Sequence, residues 1–177
     1  MGAIEKIIPY YTYEDYIQWE GKWEIIDGLP FAMAPTPVYD HQLAATNLSA
    51  LFWNALQGCE KCKVLQPLDY IVKNDTVLQP DMLVVCRDIK NNYLDFPPSL
   101  VCEILSPSTA LKDRHTKYNI YEAQKIPYYI IVSTNVREVE VFFLQNGKYV
   151  LINRGKDFTT DFEFEECTAS INFGKIW

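Results

Sequence analysis

The stretch VLQPDMLVVC, residues 77–86, is typical of a buried β-strand, yet it carries Asp81 in its middle. A second apolar run, LVCEIL at residues 100–105, is interrupted only by Glu103. Burying a lone carboxylate is costly unless it is paired, protonated or bound to a metal. Two acids centred in two neighbouring apolar strands therefore need a partner, and one divalent cation would satisfy both.

The two acids are predicted to converge. Alternate residues of a strand share a face, so Asp81 points the same way as Leu83, and the two carboxylates meet if their strands pair. Paired carboxylate oxygens suit Mg²⁺ or Mn²⁺, which retain waters and bind substrate phosphate directly. Two simpler interpretations stay open: Asp81 is a turn acid after Pro80, or Glu103 forms a buried salt bridge, for example to Arg114.

A lysine follows in the next predicted helix, residues 109–125. On an α-helix Asp113, Lys117 and Tyr121, spaced by four, share one face, with Arg114 beside them. If this helix runs back along the sheet, the Lys117 side chain reaches inward to a metal-bound water. The alternative is a surface Asp113–Lys117 ion pair, worth only about 0.3–0.5 kcal/mol.

The remaining elements predict an α/β (α+β) fold, a mixed β-sheet flanked by helices with an N-terminal hairpin. Asp27-Gly28 and Asn146-Gly147 are strong hairpin signals. The segment 34–37 (APTP) is a breaker. Helices are predicted over 12–20 and 39–57, and strands over 63–72, 127–133 and, as an acidic edge strand, 157–166.

Length and composition set broad bounds. A chain of 177 residues with 49% hydrophobic and 22% charged residues predicts one folded domain, residues 1–177. It has no apolar run long enough to span a membrane, and residues 1–9 are too short and polar for a signal peptide. The sequence therefore predicts no membrane association and a cytoplasmic location.

The five cysteines are odd in number and scattered, which favours reduced thiols and again a cytoplasmic protein. Cys59 and Cys62 have metal-ligand spacing. However, no second pair and no nearby histidine completes four ligands in the sequence, which argues against a structural zinc.

The net charge of −7 opposes non-specific binding to a polyanion, because phosphate contacts require lysine and arginine. If DNA is the substrate, positive residues must gather locally around the site. The nearest in sequence are Lys112, Arg114 and Lys125.

Three motifs together resemble the Uma2 family of restriction-endonuclease-like proteins. They are QPD at 79–81, EILSPS at 103–108 and DRHTK at 113–117. The segments WEIIDG at 23–28 and PYYIIV at 127–132 fit the same pattern. The resemblance covers about residues 12–152 and implies the fold of the PD-(D/E)XK nuclease superfamily.

The resemblance implies a nuclease-like site with Asp81 and Glu103 as metal ligands. The superfamily's lysine usually lies two residues after the second acid, where this chain has Leu105, so the lysine role maps onto Lys117. Glu24 resembles the family's early acid and is a candidate for the metal site or for binding its ligands. A solvated charge at the end of a strand is the alternative for Glu24.

His41 and Arg114 are further candidates for supporting the site or contacting substrate. The resulting prediction is a Mg²⁺-dependent (or Mn²⁺-dependent) endonuclease that hydrolyses DNA. A homodimer is expected because cutting two strands needs two sites. The alternative is a non-catalytic nuclease-fold module for binding or assembly. A serine hydrolase around Ser106 is weaker, since the chain has only two histidines and no G-x-S-x-G turn.

Overall fold

A computed structural model describes residues 8–33 and 37–177. Within them the helices are α1 (Tyr13–Tyr16), α2 (Tyr39–Ala55), a π-helical turn (Lys112–Lys117) that leads into α3 (Tyr118–Ala123), and a 3-10 turn (Phe173–Lys175). The strands are β1 (Trp23–Ile26), β2 (Leu29–Ala32), β3 (Lys63–Leu65), β4 (Tyr70–Lys73), β5 (Thr76–Leu78), β6 (Met82–Val85), β7 (Leu100–Ile104), β8 (Tyr128–Ser133), β9 (Glu138–Gln145), β10 (Lys148–Gly155), β11 (Thr159–Phe164) and β12 (Cys167–Asn172).

The strands form three sheets in the described part of the chain. The largest has the order β10-β9-β8-β7-β6-β3, and its one parallel pair, β7 with β8, makes it mixed. A four-stranded sheet, β2-β1-β5-β4, packs beside it, and β11 with β12 forms a separate hairpin. The mixed α+β architecture predicted from the sequence is confirmed.

The two faces of the six-stranded sheet bury two apolar clusters. Side chains alternate between faces, so Met82 and Cys102 pack towards α2, whereas Leu83 and Val101 pack towards α3. The same alternation puts Asp81 and Glu103 on the α3 face. Asp81, directly before β6, and Glu103, within β7, therefore lie under the helix that carries the predicted lysine.

Both hairpins predicted from glycine pairs are present. Asp27 and Gly28 have φ of 48° and 77°, and Asn146 and Gly147 have φ of 52° and 79°. Positive φ at both central residues defines the tight turn whose twist matches antiparallel strands. The first hairpin, β1 with β2, places Glu24 in its first strand.

Three predicted elements differ from the structure. The single strand expected over 77–86, with Asp81 in its middle, is two strands in different sheets, β5 and β6, and Asp81 lies in the bend directly before β6. The single strand expected over 63–72 is two strands in different sheets, β3 and β4, because residues 66–69 leave one sheet and cross to the other. The tail strand expected over 157–166 is present as β11, which pairs with β12 in a separate hairpin. The predicted helix over 109–125 contains the π-helical turn described above. The breaker at 34–37 falls largely outside the described residues.

The cysteines contradict the expectation of reduced thiols. The structure joins Cys59 to Cys167 and Cys62 to Cys86, and leaves Cys102 as the free, buried cysteine. Spacing along the sequence could not reveal this, because the partners are 108 and 24 residues apart. In the described ranges, no helix combines the length and the apolarity needed to cross a bilayer.

A candidate metal-binding and catalytic site

Asp81 and Glu103 lie side by side where β6 begins and β7 ends. The two strands are antiparallel with Met82 opposite Cys102, so the next position places Asp81 opposite Glu103. Facing residues of such a pair have Cβ atoms about 4.5–5.5 Å apart. Asp81 Oδ2 also accepts a hydrogen bond from the backbone N–H of Ile104 at 2.7 Å. The fold thus makes neighbours of the two carboxylates selected from the sequence.

Lys117 is buried between carboxylates. Its Nζ lies 2.8 Å from Glu103 Oε1, 2.6 Å from Glu24 Oε1 and 3.6 Å from Asp113 Oδ1, and its side chain is 2% exposed. The Tyr121 hydroxyl donates to the same Glu103 oxygen at 2.6 Å. Lys117 therefore belongs to a buried cluster, and a surface ion pair with Asp113 is excluded.

Glu24 enters the cluster from β1 and has no exposed side-chain area. It comes close because β1 pairs with β5, Ile25 lying opposite Val77. The backbone N–H of Gln79 donates to Glu24 Oε1 at 2.9 Å, and Lys112 donates to Oε2. These contacts exclude the alternative of a solvated charge at a strand end.

The π-helical turn positions two members of the cluster. In such a turn each N–H bonds a carbonyl five residues earlier, and π-turns recur at functional sites. Asp113 and Lys117 both lie in this turn and are both buried. The Tyr129 hydroxyl, from β8, donates to the Asp113 carbonyl oxygen at 2.9 Å and fixes the turn against the sheet. The local widening of the helix therefore has a defined packing partner.

His41, near the start of α2, approaches Asp81 from the other side. Its Nε2 lies 3.3 Å from Asp81 Oδ1, while its buried Nδ1 has no hydrogen-bond partner. Burial acts to lower the pKa of His41, but the hydrogen bond to Asp81 and that carboxylate's charge outweigh burial and raise it. His41 is thus held against one of the two predicted metal ligands.

The Lys117 ammonium group does not compensate the charges of Glu24 and Glu103 equally. Burial acts to raise the pKa of Glu24, but Lys117 and Lys112 outweigh it and lower that pKa. Burial raises the pKa of Glu103 well above its ordinary value, against the opposing charge of Lys117 and with Asp113 adding repulsion. The pKa of Lys117 is raised well above 10.5, because its carboxylate neighbours outweigh burial. The charge of Glu103 is therefore less well compensated than that of Glu24, and an additional cation would favour its ionised form.

Arg114 is not part of this cluster. Its guanidinium bonds Glu140 and, at 3.2 Å, the Ser133 hydroxyl, so it is not the salt-bridge partner expected for Glu103. Of the three positive residues expected near the site, Lys112 lines the cleft described next, and Arg114 and Lys125 do not. The helix direction brings Lys112 inward and leaves Arg114 beside β8 and β9.

A cleft of about 480 Å³ opens onto the cluster. Its walls include the loop 105–109, which follows β7. In that loop Ser106 Oγ contacts the hydroxyl oxygens of Ser108 and Thr109 at 3.0 Å each. Ser106 therefore has hydroxyl partners in place of the histidine base that a serine hydrolase requires. The charged and ionisable residues lining the cleft are Lys22, Glu24, His41, Asp81, Glu103, Lys112, Asp113 and Lys117.

The residues of the cleft fit a divalent cation by charge and donor type. When Glu24, Asp81, Glu103 and Asp113 are all ionised, the two ammonium groups that contact them, those of Lys112 and Lys117, leave two negative charges. Asp113 Oδ1 is buried without a hydrogen-bond partner, and all the donors are hard carboxylate oxygens of the kind Mg²⁺ binds.

Comparison with known proteins identifies the family. The family described as "Uma2: Putative restriction endonuclease" matches residues 13–170. The chain belongs to the Uma2 family. A relative in Synechocystis sp. (strain ATCC 27184 / PCC 6803 / Kazusa), "Uncharacterized protein slr1290", is 32% identical over 155 residues, covering 82% of this chain and 80% of its own.

The fold comparison agrees. A crystal structure titled "a putative nuclease belonging to DUF820", from Anabaena variabilis ATCC 29413, matches with a TM-score of 0.75 at 14% identity, over 93% of this chain and 96% of that one. The Uma2 chain thus has the fold of a restriction-endonuclease-like nuclease.

Two residues, Lys112 and Gln79, contact the buried cluster around Lys117 but are not predicted from the sequence to belong to it. Gln79 was noted only as part of the QPD motif, whereas its backbone N–H is the group that bonds Glu24. Lys112 was considered only as a surface charge for DNA. Its pairing with Glu24 needs the β1–β5 contact, which no local pattern encodes.

Proposed function

We propose that this Uma2 protein is a Mg²⁺-dependent (or Mn²⁺-dependent) endonuclease that hydrolyses phosphodiester bonds of DNA. The observation that supports it most is the buried contact of Lys117 with Glu103 beside Asp81, at the base of an open cleft. A buried cluster of ionised groups is expensive to maintain for structure alone, since apolar residues of similar volume often stabilise a fold equally well.

In this proposal Asp81 and Glu103 hold the metal. A bound Mg²⁺ would supply a lowered pKa for a coordinated water and stabilisation of the phosphoryl charge. Lys117 steadies the attacking water and the phosphoryl oxygens, while Glu24 and Tyr121 hold Lys117 and Glu103 in place. His41 orients Asp81 through its Nε2 contact.

The loss of lysine at position 105 is consistent with this assignment. The Leu105 side chain is partly buried against the apolar cluster that contains Tyr121 and Tyr129, so an apolar residue fits this position. The π-helical turn then delivers a lysine from the opposite layer. The proposal therefore relies on a helix-borne lysine to perform the task that the superfamily usually gives to the strand.

The test is cleavage of supercoiled DNA with added Mg²⁺, Mn²⁺ or a chelator. Asp81→Asn, Glu103→Gln and Lys117→Met should each reduce the rate by orders of magnitude, and Lys117→Met should not weaken metal binding, because it removes a positive charge that contacts Glu103. Glu122→Gln is the matched control, because Glu122 is also a lysine-bonded carboxylate but lies outside the cleft. Cleavage that persists in both Asp81→Asn and Glu103→Gln would remove these residues from the site.

A second candidate is a non-catalytic nuclease-fold module for binding or assembly. The net charge of −7 favours it, as does the closed set of ion pairs around Lys117. It predicts binding of a partner with no metal-dependent cleavage by the wild-type chain under any of the conditions above.

We also propose that the active form is a cytoplasmic homodimer, since one site cuts one strand. Sedimentation of the chain with and without DNA tests the proposed homodimer. A species of twice the chain mass that cuts both strands supports it.

A further inference from the structure

The fold gathers four cysteines that are far apart in the chain. Cys59 and Cys62 flank the loop after α2, Cys86 follows β6, and Cys167 begins β12. The sulfur atoms of Cys59, Cys62 and Cys167 all lie within 4.8 Å of one another. The structure bonds Cys62 to Cys86, which places the fourth sulfur next to that of Cys62. We refer to these four residues as the cysteine cluster.

Two features of the surroundings place the cysteine cluster. β3 and β6 pair with Lys63 opposite Val85, which puts the preceding Cys62 opposite Cys86 and explains their Cα separation of 4.0 Å. An ion pair between Lys61 and Glu166 joins the loop between Cys59 and Cys62 to the residue before Cys167. The convergence thus follows from sheet register and loop contacts.

We propose that the cysteine cluster binds one structural Zn²⁺. Four cysteines, two of them in a C-x-x-C spacing, are a common ligand set for structural zinc. With Zn–S bonds of about 2.3 Å, the sulfurs of a tetrahedral site are about 3.8 Å apart, a spacing compatible with the observed grouping. The sequence alone argued against zinc because only one pair was visible. The fold supplies Cys86 and Cys167 as the missing pair.

The disulfides are the oxidised, metal-free state of the same cluster. Two equivalents of a dithiol reductant transfer four electrons and four protons to the two S–S bonds, giving four thiols and two oxidised dithiols. The four thiols then lose four protons as they form four S–Zn bonds. In a reducing compartment this is the favoured state, because disulfides do not persist there.

The zinc site is independent of the proposed nuclease site. Asp81 and Cys86 lie at opposite ends of β6, five residues apart, which corresponds to about 17 Å along a strand. Zinc would connect the end of α2, the sheet edge at β3 and β6, and the β11–β12 hairpin. Its loss should lower stability without removing any group from the cleft.

The test begins with the full-length chain purified without oxygen and with a non-metal-binding reductant. Elemental analysis should find one zinc per chain. Replacement by Co²⁺ should give the sulfur-to-cobalt charge-transfer absorption expected for four thiolates. Peroxide should release the metal while four thiols disappear. DNA cleavage in Mg²⁺ is measured alongside, so failure of either proposal is seen separately.

Variants locate the metal. Cys59→Ser and Cys167→Ser should reduce bound zinc from one per chain to none, whereas Cys102→Ala, which removes the buried cysteine outside the cluster, should retain it. A reduced wild-type chain with five titratable thiols that binds neither zinc nor cobalt overturns the proposal, and that measurement needs no variant to fold. Zinc retained in both serine variants, or disulfides that survive the reductant, also overturn it.

Discussion

Replacing Lys117 by Met removes the ammonium group that contacts Glu24, Glu103 and Asp113 together, while keeping most of the length of the side chain. Removing one partner of a buried ion pair typically costs about 3–5 kcal/mol, because a buried charge is left without compensation. Lys112 still pairs with Glu24, so the cost falls mainly on Glu103. We expect Lys117→Met to lose about 3–5 kcal/mol of unfolding free energy near neutral pH.

The pH dependence of this loss gives a second check. Burial already raises the pKa of Glu103 and of Asp113 in the wild type, and Lys117 opposes both shifts. Without Lys117 the two carboxyl groups hold protons still more tightly in the folded chain, so the variant gains more stability than the wild type as the pH falls. In the wild type, the lowered pKa of Glu24 provides stability that is present above about pH 4.5 and is lost as the pH falls through the folded-state pKa. The difference in unfolding free energy between the wild type and Lys117→Met should therefore narrow as the pH falls from about 8 to about 5.

Urea unfolding followed by tryptophan fluorescence measures both effects. The matched control is Lys148→Met, which breaks the ion pair with Glu122 at a lysine that is 80% exposed and should cost little stability, because exposed ion pairs contribute little. A Lys117→Met variant as stable as Lys148→Met, or a gap that widens towards acid pH, would refute the description of a buried, uncompensated cluster.

Three further predictions concern the metal, DNA and the first hairpin. Asp81→Asn should abolish binding of Mg²⁺ in calorimetry while the circular dichroism of the fold is kept, and unchanged binding would contradict its role as a ligand. DNA affinity of the wild type should fall steeply with salt, since each neutralised phosphate releases counterions; affinity independent of salt would favour the binding-module alternative. Gly28→Ala should destabilise the fold more than Gly147→Ala, although both glycines have φ near +78°. A Cβ at position 28 would lie 2.2 Å from the Tyr10 ring, whereas a Cβ at position 147 would have no neighbouring atom within 4 Å. Equal midpoints in thermal unfolding would show that the Tyr10 contact is not rigid.

Local patterns predicted the parts of the fold that local physics determines. The two turns at Asp27 and Asn146 are predictable because few residues tolerate positive φ, and the strand around Glu103 because an apolar run of that length must be buried. The run around Asp81 is buried as well, but the break that divides it between two sheets is not predictable from its composition. The choice of these two acids likewise needed only the cost of burying charge. Their roles in metal binding and catalysis stay predictions.

The features that sequence reasoning missed depend on contacts between distant segments. The burial of Glu24 requires β1 to pair with β5, and the grouping of Cys59 with Cys167 spans 108 residues. The π-helical turn also escaped prediction, because the spacing of Asp113 and Lys117 is equally compatible with an α-helix. The contact that holds this turn against the sheet, between the Tyr129 hydroxyl and the Asp113 carbonyl, also joins two distant segments.

The length of strand β6 sets the distance between two chemically different groups of residues, one at each end of the strand. Asp81 precedes it and Cys86 follows it, and each must meet its partner across a neighbouring strand. A slip of one residue in the pairing of β6 would turn every side chain to the opposite face of the sheet. The same error would separate Asp81 from Glu103 and Cys86 from Cys62. Correct alignment of this one short strand is thus a shared requirement of both ends, and misalignment would disable them together.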